Sequence, residues 1–163
     1  MATDLLYLRA GELVAFAAQS LPNITRAFVA LDAPALDCPD TVTVHVTNVA
    51  RQPLSYGMPL SEFEAGPALA GAVTIATFVI TTTRCAPRPA DSGDPPTPMA
   101  YEDAAKLLLT DLWTLWKAIP PAIDRAELWQ GSCQKFVLGP VSSIPEQGGF
   151  AGWTLALSAE VSP

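Results

Sequence analysis

The segment from Gly71 to Arg84, GAVTIATFVITTTR, constrains the fold more than any other, because it is a strand-like run with no face left for water. Side chains alternate across a strand, so Val73, Ile75, Thr77 and Val79 share one face while Ala72, Thr74, Ala76, Phe78 and Ile80 share the other. Neither set is a solvated face, and the strand therefore needs cover above and below. Fully extended it spans about 45 Å at roughly 3.3 Å per residue, beyond the usual strand length. One small domain is hard pressed to cover such an element alone, which points to assembly.

Composition supports that direction. A chain of 163 residues, half of them hydrophobic, has the size of one domain with one core. Charged residues make up 15% of it, against roughly a quarter in ordinary soluble domains, so part of the surface is expected to be shared with other subunits. The plainer alternative is a soluble protein with a Thr-, Ser- and Ala-rich habit. The net charge of -7 argues against stable nucleic-acid binding, which needs clustered Lys and Arg. An acidic surface facing DNA would instead let it slide past.

Cys38, Cys85 and Cys133 form no CxxC pair and leave at least one thiol unpaired, which points to buried thiols in a reducing compartment. Cys38 and Cys85 each lie at a strand end near a proline, so a bridge between them stays open at this level. The start of the chain, MATDLLYLRAGELVAF, carries none of the marks of an export signal. The stretch from Ala65 to Thr83 is nearly uncharged, but its β-branched content favours a strand over a membrane helix, and a soluble protein is expected.

Along the chain, Leu13, Ala17 and Leu21, with Phe16 beside them, predict a helix over Glu12–Leu21 that Pro22 and Asn23 stop. Leu6 and Ala10 extend its stripe back toward Thr3, through Gly11. Ile24–Leu31 leans to a strand, and 32–39 reads as a loop. Thr41–Val49 alternates Val42, Val44 and Val46 against Thr41, Thr43, His45 and Thr47, which predicts one core face and one wet face. Residues 50–67 form a long irregular excursion whose Leu54, Tyr56, Met58, Leu60 and Phe63 argue for docking rather than disorder.

The proline-rich run over 85–99 excludes a helix or ladder and predicts a surface connection. Thr97 can cap a following helix with Pro98 at its first position, and Glu102 and Asp103 suit its positive end. That helix is expected to end near Ile119, at Pro120 and Pro121. Leu108, Leu112, Leu115 and Ile119 form its apolar stripe, Leu109, Trp113 and Trp116 widen it, and Asp103, Lys106, Thr110 and Thr114 form the polar strip. Trp113 and Trp116 are candidates for contact with a neighbouring subunit. Cys133–Leu138 and Phe150–Val161 read as a final strand pair joined by an extended loop through Gly139, Pro140 and PEQGG. The expected fold is a single α+β domain over 1–163, with a mixed, mainly antiparallel sheet of four to five strands packed by two main helices.

Chemistry finds no anchor in the pattern. His45 is the one histidine, with nothing nearby to mark a triad partner. The cysteines lack zinc-ligand spacing, and the acidic pairs Asp37 with Asp40, Glu62 with Glu64 and Asp91 with Asp94 complete no calcium loop. Neither a phosphate-binding nor a dinucleotide-binding glycine loop is present. The expectation is a non-enzyme with no catalytic residue, cofactor or metal.

In its layout the chain resembles the tail terminator proteins of long-tailed, siphovirus-like bacteriophages. The resemblance rests on the N-terminal helix, CPDTVTVHV at Cys38–Val46, the Gly71–Arg84 strand, WTLWKAIP at Trp113–Pro120 and the closing GGFAGWTLALSAEV strand. It implies an α+β subunit of a hexameric ring that caps the tail tube, stops its polymerisation and meets the head-side connector, with DNA passing through the lumen without specific binding. The virion neck would then be its location, after assembly in the host cytoplasm. On this resemblance the long loops supply the contacts, with Tyr56, Met58, Leu60 and Phe63 as apolar anchors and Arg84 and Arg88 as charged ones. Head completion or stopper proteins of the same virions are the nearest alternative. A domain binding a small ligand under the Trp113 and Trp116 helix is a more distant one.

Overall fold

The computed structural model describes residues 2–31, 40–52, 73–89, 91, 93–131, 133, 135–147 and 149–161. Helix α1 (Ala2–Ser20) precedes strands β1 (Arg26–Val29), β2 (Thr41–Gln52) and β3 (Val73–Cys85). Helix α2 (Pro98–Asp124), a 3-10 turn at Trp129–Gly131, β4 (Phe136–Gln147) and β5 (Phe150–Glu160) complete the order. The five strands form one sheet in the order β1-β2-β3-β5-β4. The β1–β2 pair is parallel and the other three are antiparallel, so the fold is the expected α+β class. The 32–39 loop and the 53–67 part of the excursion, with Tyr56, Met58, Leu60 and Phe63, lie outside the described residues.

Strand β3 occupies the middle of the sheet, and its two faces differ. Ala76, Phe78 and Ile80 are fully buried on the face that meets the helices. On the opposite face Ile75, Thr77 and Val79 are only partly buried, while Thr81 and Thr83 further along are buried. On the helix side the core runs across the register: Val42 and Val44 of β2 and Leu155, Leu157 and Ala159 of β5 join Phe78 and Ile80. Helix α1 packs against β1 and β2, and α2 against α1 and β5, so both helices lie on this one face. Two tryptophans tie the layers together. The Trp129 ring lies 5.2 Å from that of Phe78 and donates its Nε1–H to the Arg9 carbonyl, while Trp153 donates its own to the Leu108 carbonyl.

Helix α1 runs through Gly11 and buries Ala10, Leu13 and Ala17 of the stripe read from the sequence, while Leu21 is buried just past its end. At the start of α2, Thr97 is the N-cap and its hydroxyl accepts from the Ala100 N–H at 3.3 Å, with Pro98 at the first helical position. Glu102 and Asp103 lie beyond the first turn, which holds no acidic residue.

Three expectations are corrected. Helix α2 does not stop at Pro120 and Pro121 but carries both inside it to Asp124. The prolines remove two backbone donors, yet the extra turn places Ala122 and Ile123 in the core, and that burial offsets the loss. The helix then closes at Ala126, whose φ of 59° allows Glu127 N–H to reach the Ala122 carbonyl and Ala126 N–H the Ile123 carbonyl. Second, Gly139 and Pro140 do not form a loop. Strand β4 runs through them with a register shift between Leu138 and Val141, and pairs up to Gln147 opposite Phe150. As a sheet edge, β4 tolerates prolines that a central strand would not. Third, the face of β2 expected to be wet is buried at Thr41, Thr43 and His45, and only Thr47, at a bulge, is exposed. Thr41 and Thr43 stand between ladder neighbours on both sides, Arg26 and Phe28 of β1 and Thr83 and Thr81 of β3.

Candidate functional site

Arg84 continues the helix-facing set of β3, after Phe78, Ile80 and Thr82, and is 3% exposed. Its Nε donates to Asp111 Oδ2 at 2.7 Å and its Nη2 to Asp111 Oδ1 at 3.0 Å, a two-point clamp between β3 and α2. Nη1 donates to Asp40 Oδ2 and Nη2 also to the Pro22 carbonyl. Asp40 in turn accepts from the Cys85 N–H through Oδ1, while its carbonyl accepts from the Thr25 and Arg26 N–H groups. Burial by itself would lower the Arg84 pKa, but the bonds to Asp111 and Asp40 outweigh it and hold the guanidinium above its ordinary value. The cluster is therefore a fixed charged strut, with every Arg84 nitrogen engaged. Arg84 is not an exposed anchor as the resemblance implied, because the strand alternation that buries Phe78 turns Arg84 inward as well.

The other candidates separate by position. Arg88 is exposed, and its guanidinium lies so close to Gly149 that a Cβ there would stand 2.9 Å from Nε. Trp113 is 58% exposed on the outer side of α2, next to Leu109 at 67%, so neither widens the buried stripe. Trp116 is partly buried against the core, with its ring edge over Gly139, where a Cβ would stand 3.6 Å away. The Trp116 ring edge thus packs on the Gly139 backbone of β4. A cleft of about 170 Å³ lies instead between α2 and the segment after β3, lined by Ala86, Pro87, Tyr101, Ala104 and Leu108. That volume is below the usual range for organic ligands, roughly 300–1,000 Å³.

Among the described residues, titratable side chains bring no reaction centre together. His45 is 8% exposed in the sheet, and Asp40 is committed to Arg84 and Cys85. Asp91 and Asp94 are exposed, and Asp37, Glu62 and Glu64 lie outside the described residues. Among the described residues no group of three His, Cys, Asp or Glu side chains is placed to hold a metal ion. The reading of all three cysteines as buried thiols is corrected for Cys85, which is disulfide-bonded and exposed, while Cys38, the other cysteine flanking a strand end, lies outside the described residues. A disulfide also removes the cysteine argument for a reducing compartment. Cys133 is a buried free thiol, and burial, with the nearby Glu160 charge, pushes its pKa up, which disfavours the reactive thiolate.

What the described surface offers is contact area. On the sheet face turned away from the helices, Ile75, Thr77 and Val79 of β3 and Thr154, Ala156 and Ser158 of β5 are partly exposed and uncharged, with Glu160 beside Ile75, while Thr81, Thr83, Thr41, Thr43 and His45 on the same face are buried. No helix among the described residues covers it. Among the described residues no helix is long and apolar enough to cross a membrane. Neither protein-family models nor curated proteins give a match to the chain.

Proposed function

We propose that this chain is a structural subunit of a bacteriophage neck, a tail terminator that assembles as a hexameric ring on the end of the tail tube. The observation that carries the reading is the partly exposed patch of sheet formed by Ile75, Thr77, Val79, Thr154, Ala156 and Ser158, uncharged up to Glu160 at its end. Small and β-branched side chains on a rigid, twisted face suit packing against another subunit and offer no group for chemistry. Phe78 is buried within the chain while its neighbour Val79 is only partly buried, so β3 from Ile75 to Val79, though not at Thr81 and Thr83, retains one face for a partner.

On this reading the mechanism is geometric. Subunits close head to tail into a ring, match the terminal contacts of the tube protein and present no further polymerising surface. The other side of the ring receives the head-side connector or stopper protein, and the acidic balance of the chain lets DNA pass through the lumen without sticking. Native mass spectrometry of the chain, alone and with tube protein, tests this: a six-fold mass or rings on tubes supports it. A strict monomer that ignores tubes overturns it. Binding to the connector with tube length unchanged would assign the chain to the stopper role instead.

A further inference from the structure

The outer face of α2 carries an exposed stripe that the proposed ring does not use. Glu102, Ala105, Lys106, Leu109, Thr110, Trp113, Thr114 and Lys117 line one shallow groove along the helix. Leu109 and Trp113 are more than half exposed, large apolar side chains on a face that the core does not cover. Among the described residues Glu102, Lys106 and Lys117 form no ion pair within the chain, and Lys117 Nζ rests 5.3 Å from the Trp113 ring centroid. The stripe is self-complementary when reversed. With a centre between Leu109 and Thr110, Glu102 is the counterpart of Lys117, Lys106 of Trp113, and Ala105 of Thr114.

We propose that this face pairs with the same face of a second copy, the two α2 helices antiparallel about a two-fold axis between Leu109 and Thr110. The axis generates each contact twice: Glu102 with the second copy's Lys117, and Lys106 over the second copy's Trp113 ring. Leu109 packs at the axis, and the small side chains at Ala105, Thr110 and Thr114 let the helices approach to the usual 8–10 Å. The stripe from Glu102 to Lys117 is about 22 Å long at 1.5 Å per residue, so the pair is smaller than a standard interface and its association is weak. This contact is isologous and so distinct from the head-to-tail contacts of a ring.

Sedimentation velocity of the full chain, from micromolar to submillimolar concentration, tests the pairing. The expected result is a reversible monomer–dimer equilibrium. Glu102→Lys or Lys117→Glu alone replaces two attractive pairs by two repulsive ones and weakens association roughly tenfold. The double variant E102K/K117E restores it, and Trp113→Ala weakens it further than either single change. Because these side chains are exposed, circular dichroism and melting are expected to match the native chain. A chain that shows no dimer, single variants that associate as tightly as the native one, or a double variant that fails to recover would each overturn the pairing. Rings that form on tube protein from a chain that shows no dimer would overturn the pairing and leave the ring reading standing, whereas charge-swap rescue without rings would do the reverse.

Discussion

Arg84 on β3 and Asp111 on α2 meet through two hydrogen bonds, of 2.7 and 3.0 Å, at the boundary of the core, and Asp111 is completely buried. The pair fixes α2 to the centre of the sheet. A buried ion pair contributes little over an apolar pair of equal volume, yet losing one partner strands the other's charge. Asp111→Ala is therefore expected to destabilise the chain by about 3–5 kcal/mol, read from urea denaturation. The double variant Arg84→Met with Asp111→Leu should recover most of that loss. Equal losses in the single and double variants would contradict the account.

Gly152 of β5 sits where its neighbour's backbone leaves no room. A Cβ at that position would stand 2.3 Å from the Thr82 carbonyl oxygen and 3.1 Å from Thr83 Cγ2. Backbone cannot move aside as a side chain can, so Gly152→Ala is expected to cost about 1–3 kcal/mol through overpacking. Thermal unfolding measures it, and an unchanged melting temperature would refute it.

Two positions have the wrong residue for their backbone. Gly11 lies inside α1, and a Cβ there would meet nothing within 4 Å, so Gly11→Ala should stabilise by roughly 0.5–1 kcal/mol. Ala126 holds the left-handed position that closes α2, which favours glycine, so Ala126→Gly should stabilise by about 1 kcal/mol. The two sites are in different elements, and denaturation midpoints of the double variant should show additive gains.

Cys133 links stability to pH. Its pKa is raised in the folded chain, so the folded state keeps the proton to higher pH than the unfolded state does. The resulting stabilisation is fully present below the ordinary thiol pKa and fades as pH rises through it, from about pH 9 upward. Cys133→Ala should therefore lose less stability than the native chain between neutral and strongly alkaline pH. Parallel pH profiles would show that the thiol does not contribute.

The elements of this fold were largely legible as periodicity. The α1 stripe, the Thr97 cap, the strand alternation of β2 and β3 and the closing β5 strand all follow from spacing alone. What escaped had competing causes. Pro120 and Pro121 signal a helix end locally, but core burial of Ala122 and Ile123 carries the helix past them. Gly139 and Pro140 signal a loop, but an edge strand absorbs both. The Arg84–Asp111 clamp left a readable mark: alternation from Phe78 and Ile80 puts Arg84 on the core face, and Asp111 falls three residues after Leu108 and four before Leu115. Two opposite charges on two core-facing stripes predict a pair. The exposure of Leu109 and Trp113 had no such mark, since the width of an apolar stripe does not tell how much of it a sheet will cover. The candidate anchors Tyr56, Met58, Leu60 and Phe63 lie outside the described residues, so the proposed ring contact rests on the sheet face and the proposed pairing on α2.

The central claim is that this chain ends the growth of a tail tube by capping it with a ring. The most direct measurement is the length distribution of tubes polymerised from tube protein with increasing amounts of the chain, viewed by electron microscopy. The account predicts shorter tubes, each bearing a six-membered ring at one end. Tubes of unchanged length with bare ends at saturating chain would contradict it.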